Sequence, residues 1–326
     1  MTSPPSLGAS TIWVGSDDGK LYGRVDADTI FGCPASAAVG SMFTPAIRLA
    51  SAESAYTGGS VGKLYGANAD RTCFASVAST GALGASAIIA GDKLYVLTSD
   101  ATLRRYSATL SDDAWSISTS SCADVPAPMA YATGSIFFAC GIAGQKSEIH
   151  QLDASTSTSS LLITLPSKPC ASAVILGTDL LLGTNDGKLH RLTPPTSGSG
   201  AWTDLWSALP ALSSSVLGVL VAAQDGDGVV AYAVTGDGQL HALDADGHAR
   251  WSTTGETTSP LGISPLTFPT IAPAASASQL PTLYVGSDDG HLYAVVVDST
   301  LDPRSPWPKS HHDVRNTGNA DAPVYP

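Results

Sequence analysis

One phrase is spelled seven times along the chain, and no other feature of the sequence restricts the fold as tightly. It reads "TIWVGSDDGKLYGRV" from Thr11, then "SAYTGGSVGKLYGAN", "KLYVLTSDATLRRYS", "SIFFACGIAGQKSEIHQL", "DLLLGTNDGKLHRLT" and "VAYAVTGDGQLHALDADG", and finally "TLYVGSDDGHLYAVV" from Thr282. In each copy alternating apolar residues lead into an Asp-Gly or equivalent turn and alternate again on the way out, which is the pattern of a β-hairpin. The anchor of the outgoing strand falls at Leu21, Leu64, Leu103, Ile149, Leu189, Leu240 and Leu292, a spacing of 39 to 52 residues.

A period of that size belongs to an array of supersecondary units, and it matches a four-stranded propeller blade better than a helical repeat. Pro and Gly interrupt every window long enough for an amphipathic helix. Between hairpins lie segments for two more short strands, such as His248–Thr254 and Ser264–Phe268. Trp115, Trp206, Trp251 and Trp307 are expected on outer strands, where a flat side chain burying on the order of 200 Å² covers the seam to the next blade. The near-identity of the first and last phrases is expected of neighbours in a closed ring, which leaves no free sheet edge. The expectation is all-β: one seven-bladed β-propeller of four-stranded antiparallel blades, spanning residues 1–326 as a single domain. The N-terminal segment before Thr11 and the tail after Pro306 are expected to complete neighbouring or identical blades.

Composition narrows the function classes. Hydrophobic residues make up 43% of the chain, ample for a core, whereas charged residues are only 13%, so small hydroxylated side chains cover much of the surface. The net charge is −12 and no window is a run of Lys or Arg, which argues against nucleic acid as a partner. No stretch reaches the roughly 18–20 consecutive apolar residues of a spanning helix. The opening "MTSPPSLGAS" has neither a basic nor an apolar leader region. On composition, the expected location is extracellular or periplasmic, with the chain in its mature form.

Five cysteines, Cys33, Cys73, Cys122, Cys140 and Cys170, show no zinc-type spacing, and an odd count leaves one unpaired in a monomer. Cys122 and Cys140 flank a segment that reads strand, turn, strand, so its ends can meet; this is the candidate disulfide.

Three further features look like chemistry until placed in the repeat. "GGSVG" matches a hydrolase nucleophile elbow, but its Ser60 falls in a hairpin turn followed by a strand. His150, His190 and His241 directly follow the anchor, in the column otherwise held by Tyr22, Tyr65, Arg104 and Tyr293. Equivalent positions in different blades radiate apart, too far for bonds of about 2 Å to one zinc, so an inter-blade packing column is expected. His311, His312 and Asp313 are expected in a strand that completes the last blade, where adjacent side chains point to opposite faces.

The phrase "LYVGSDDGHLYAV", the blade ending "ALDADGHARW" and the closing "PWPKSHHDVRNTG" resemble the PQQ-like β-propeller repeat proteins of the quinoprotein-dehydrogenase-like superfamily. The resemblance covers essentially the whole chain and implies a single propeller. Its PQQ-dependent dehydrogenases have eight blades in a longer chain, an adjacent cysteine pair over the quinone, and Glu, Asn and Asp ligands to calcium. This chain has no adjacent cysteines and no matching acidic set, so no cofactor is expected. It looks more like the non-enzymatic members, which include the lipoprotein subunit of the outer-membrane barrel-assembly machine.

The expected function is therefore a scaffold, not an enzyme, that binds a protein or cell-surface partner through a propeller face. The alternative is a small-ligand or carbohydrate binder using the central channel or inter-blade pockets. The candidate face carries Asp17, Asp18, Asp186, Asp237, Asp288 and Asp289, all in inner hairpin turns of blades one, five, six and seven, where they suit a basic partner. Against this stands plain turn chemistry, for which Asp is well suited.

Overall fold

The computed structural model describes residues 4–25, 29–33, 45–49, 53–59, 62–75, 87–98, 102–118, 122, 129–196, 200–223, 228–253, 268–274, 276 and 279–325. Ser60 and most of the expected strand at Ser264–Phe268 lie outside them. The strands form seven antiparallel sheets in chain order, the blades of a seven-bladed propeller. Blade one holds Ser6–Leu7, Ile12–Gly15, Leu21–Arg24 and Ile30–Cys33; blade five holds Val174–Leu176, Asp179–Gly183, Leu189–Thr193 and Thr203–Asp204. In blade seven the described strands are Thr270–Ala272, Thr282–Gly286 and Leu292–Val296. No helix occurs among the described residues.

The repeated turn has a repeated cause. Besides Gly144 of blade four, with φ 78°, five glycines with positive φ hand the second strand over to the third: Gly19, Gly62, Gly187, Gly238 and Gly290, all between 76° and 85°. Each of these five donates its N–H to the carbonyl three residues back, as Gly187 does to Thr184 and Gly290 to Ser287, both at 3.2 Å. A Cβ is strained in that conformation, which is why the phrase keeps its glycine.

Blade packing follows the anchor column. Leu189 shares a core cluster with Val219 and Val221 of blade six, and Leu240 with Ile271, Leu283 and Val285 of blade seven. Leu21 likewise packs with Ile47 and Ala55 of blade two. The anchor of each blade thus faces the next blade, and the first six anchors are at most 7% exposed.

The tail departs from expectation. Thr300–Leu301 pairs with the first strand of blade six, not with blade seven. The chain then runs along the inner wall of the ring, where the N–H groups of Ile175, Val221, Leu7, Ile47 and Ile89 donate to the carbonyls of Trp307, Pro308, Arg315, Thr317 and Gly318 at 2.7–2.8 Å. Those donors occupy equivalent positions on the innermost strands of blades five, six, one, two and three. A segment touching five innermost strands must lie on the ring axis, so the tail plugs the central channel instead of completing a blade. Trp307 is accordingly not on an outer strand; it is 1% exposed in the channel, packed with the core of blades three to five. His311 and His312 are not in a strand either, since their φ angles of 61° and 70° place them in tight turns. Trp115 and Trp251 do lie on outer strands, and Trp206 lies two residues beyond one.

One seam differs from the other six. Leu292, the blade-seven anchor, is 70% exposed and Val296 is 63% exposed. Across from them Ile12 and Leu7 of blade one are also exposed, although the matching Leu283 and Ile271 of blade seven are fully buried under blade six. Among the described residues no core cluster and no backbone hydrogen bond joins blade seven to blade one.

Two disulfides brace the shell. Cys122–Cys140 joins the segment after the outer strand of blade three to the second strand of blade four, with Cα atoms 5.5 Å apart. Cys33–Cys73 ties the fourth strands of blades one and two, with Cα atoms 5.6 Å apart. Cys170 is the free thiol among them.

Candidate functional site

The six candidate aspartates sit where the repeat puts them, in the turns between second and third strands. Asp18, Asp186, Asp237 and Asp289 occupy one homologous position, and each accepts hydrogen bonds from its own hairpin. Asp18 accepts from the Lys20 N–H at 3.2 Å and the Tyr22 hydroxyl at 2.6 Å. Asp289 repeats this with the His291 N–H at 3.0 Å and the Tyr293 hydroxyl at 2.5 Å. Asp186 accepts from the Thr184 hydroxyl at 2.7 Å and the Lys188 N–H at 3.3 Å. Asp237 accepts from the hydroxyls of Thr235 at 2.6 Å and Ser213 at 3.2 Å.

The column after the anchor is the other half of the same device. Tyr22 and Tyr293 reach the turn aspartate directly, whereas His190 Nε2 lies 3.1 Å from the Thr184 hydroxyl that binds Asp186. His241 Nε2 similarly lies 3.2 Å from the Ser213 hydroxyl that binds Asp237. His190 is fixed at its other nitrogen by Asp204, 2.7 Å away, and His150 by Glu148 at 3.0 Å with its ring stacked on Phe138. All three histidines are buried; the hydrogen bonds of His150 and His190 stay within their own blades, whereas His241 is held by Ser213 in the segment that leads into blade six. In the sequence the link between the aspartates and the column is visible only as the i, i+4 spacing from Asp18 to Tyr22 and from Asp186 to His190.

These bonds set the charge. The Tyr22 hydroxyl, with Ser16, holds the Asp18 carboxyl below its ordinary value, and the Tyr293 hydroxyl pulls Asp289 down to about 2. At Asp237 burial pushes upward, but hydrogen bonds from Thr235 and Ser213 outweigh it and the carboxyl again falls. Asp18, Asp237 and Asp289 are therefore ionised throughout the neutral range, with orientations fixed by their own turns. Asp17 and Asp288 are exposed beside them.

The channel offers no comparable opening, because the tail fills it with Trp307, Lys309, His311, His312 and Asp313, all buried. The Lys309 ammonium donates to the carbonyls of Ser310 at 2.6 Å and Asp313 at 3.3 Å and to the Asn316 side chain. Asp313 in turn accepts from the Arg315 N–H at 2.8 Å and from the Thr317 hydroxyl. Burial lowers Lys309 to about 8 and His311 to about 3. Cys122, Cys140 and His150 also lie close together, but the two sulfurs are bonded to each other and offer no thiolate.

A cleft of about 520 Å³ opens between blades four and five, at the end of the strands opposite the aspartates. Phe137 and Trp202, ring centroids 6.2 Å apart, line it together with Leu180, Gln151 and Thr178.

The residues do not fit a quinone. No two cysteines are adjacent in the sequence, four of the five are in disulfides, and the turn carboxylates are engaged by their own hairpins.

No curated protein sequence matches the chain. Among solved structures, BamB from Moraxella catarrhalis is similar at a TM-score of 0.58 and 15% identity, over 90% of this chain and 81% of that one. Sqt1 from Saccharomyces cerevisiae is similar at 0.65 and 11%, over 91% and 84%. A computationally designed protein, Ika8, is similar at 0.50 and 11%, over 90% and 95%. At these identities the likeness is one of fold. The family model described as outer membrane protein assembly factor BamB matches residues 121–301, more than half of the chain, so the protein belongs to this family of PQQ-like propeller repeat proteins.

Proposed function

We propose that this protein is a non-enzymatic propeller scaffold, working outside the cytoplasm, that binds a basic protein or cell-surface partner across the face bearing the second-to-third-strand turns. The observation that carries this reading is the set of homologous, pre-oriented carboxylates in blades five, six, seven and one, which are consecutive around a ring. Several unit charges of one sign on one face create a potential that recruits a basic surface, and rigid acceptors lose little entropy on binding. Separate turns cannot supply the six to eight oxygens at 2.3–2.6 Å that a calcium cage requires, which favours a broad partner over an ion. The family description, an assembly factor for outer membrane proteins, fits a scaffold, and two disulfides fit an oxidising compartment.

The test replaces Asp18, Asp186, Asp237 and Asp289 with Asn together, which keeps a turn acceptor and removes the charge. Capture of a lysine-rich peptide by the immobilised protein is then measured at low and high ionic strength. The wild type should lose capture as salt rises, and the variant should capture weakly at both. Equal, salt-independent capture by the two proteins means that the acids only form turns.

The cleft between blades four and five supports a second reading, a carbohydrate or small-ligand site, because an aromatic pair lines it together with polar residues. Quenching or enhancement of Trp202 fluorescence by oligosaccharides, lost in Trp202→Phe, distinguishes it from the first.

A further inference from the structure

The exposed walls between blades seven and one carry an inference independent of the acidic face. In this repeat every blade–blade interface has the same two halves: an anchor face on one blade and, on the next, a receiving face from its first two strands. At the interface of blades six and seven these are Leu240 with Ala242, and Ile271 with Leu283 and Val285, all buried. Blade seven presents a second anchor face, Leu292, Ala294 and Val296, every residue of it exposed. Blade one presents the corresponding receiving face, Leu7 and Ile12, at 42% and 43% exposure. Ile30, 62% exposed on the outer strand, extends that wall, and a shallow groove lined by Leu7, Ile12 and Arg24 lies along it. Tyr284 is half-buried, although its counterparts Trp13, Tyr56, Tyr95 and Tyr232 are all buried. Two faces that matched and touched would bury each other as the other six pairs do; both are wet, so the seam is open.

The tail is unevenly spaced around the ring, and its longest step, from blade six to blade one, includes the tight turns at His311 and His312. Its bonded carbonyls step from blade five to six with one residue, from one to two with two, and from two to three with one. From Pro308 at blade six past blade seven to Arg315 at blade one, it uses seven.

We infer that the seam is a docking wedge for one additional four-stranded blade of this same repeat type, presented by a partner polypeptide. Both walls are halves of the interface already built six times in this chain, so a single occupant that satisfies them needs a receiving face toward Leu292 and an anchor face toward Ile12. A blade of this repeat has both, and stacked sheets are about 10 Å apart, so it fits only where the walls stand apart. At the rim Asp17 and Asp18 lie on one side and Asp288 and Asp289 on the other, which favours a blade whose own turn is basic.

The experiment uses the full chain with Cys170→Ser and a reporter cysteine, Leu292→Cys at the seam or Leu240→Cys in a closed interface. Thiol labelling should be fast at 292 and slow at 240. Slow labelling at 292 in a monomer means that the seam closes on itself, and slow labelling in a dimer means that a second copy covers it; either overturns the proposal. A copy of residues 129–166, one complete blade with Cys140→Ser, is then appended through a flexible linker. Labelling at 292 should slow roughly tenfold or more, the scale expected for burying one leucine, and the amides of Leu7 and Ile12 should gain exchange protection. Ile12→Asp should abolish that slowing at position 292, and Leu292→Asp, in a chain without the reporter, should abolish the protection at Ile12. Because both side chains are solvent-exposed, these variants should melt like the parent. An appended blade that leaves 292 labelling unchanged, or responds to only one wall variant, refutes the wedge.

Discussion

Trp307→Ala tests whether the tail is a structural plug or an ornament. Trp307 is 1% exposed, packs with the core of blades three to five and sits 5.0 Å from the His312 ring. Truncating a fully buried tryptophan costs about 3–5 kcal/mol through lost transfer energy and the cavity left behind. The residue also holds the Ile175 N–H on its carbonyl at 2.8 Å, a bond that the substitution leaves in place, so the loss reports packing. At about 2–4 °C per kcal/mol for a chain of a few hundred residues, the midpoint should fall by roughly 6–20 °C. The indole N–H is buried without a hydrogen-bond partner, so Trp307→Phe should lose much less, within about 2 kcal/mol. The assay is thermal and urea unfolding followed by far-ultraviolet circular dichroism. An alanine variant within about 1 kcal/mol of the wild type refutes the plug, because a tail lying loosely in the channel has no cavity to leave.

Two further outcomes follow from the same structure. His311, buried beside Lys309 and Asp313, is held near 3 in the folded chain against 6.5 in the unfolded one, so the unfolded state binds the extra proton between those values and stability falls as pH drops through that window. Between pH 6.5 and 5 this contributes about 2 kcal/mol of loss, which His311→Phe should remove; parallel stability–pH profiles for the two proteins would sink the assignment. Loop closure predicts that reducing Cys33–Cys73, with its separation of 40 residues, costs about 4 kcal/mol, and Cys122–Cys140, with 18, about 3. Melts of Cys33→Ser and Cys122→Ser beside the parent check this, and variants that match the parent would show the bridges to be dispensable.

Much of the architecture was written in local chemistry. Alternating apolar strands around a short turn, most often with a glycine at positive φ and in four blades with an aspartate that caps it, specify the hairpins within about fifteen residues, so seven copies announce seven blades. The candidate aspartates were legible for the same reason, since turn position is a local property. So was the neighbourhood of Cys122 and Cys140, which are separated by 18 residues and flank one strand–turn–strand. What sequence could not decide is where distant pieces meet. Cys33 and Cys73 pair only because two outer strands lie side by side, and nothing local marks that adjacency. The phrase around Leu292 is nearly the phrase around Leu21, yet one leucine is buried and the other is 70% exposed, because burial belongs to the neighbour across the seam and not to the residue. The tail reads as the end of a last blade, but five innermost strands offer their N–H groups to the axis, and satisfying those donors draws the chain inward. Local periodicity determined the blades; the backbone donors left unpaired when they assemble decided the plugged channel, and the neighbour each face meets decided which anchors are buried.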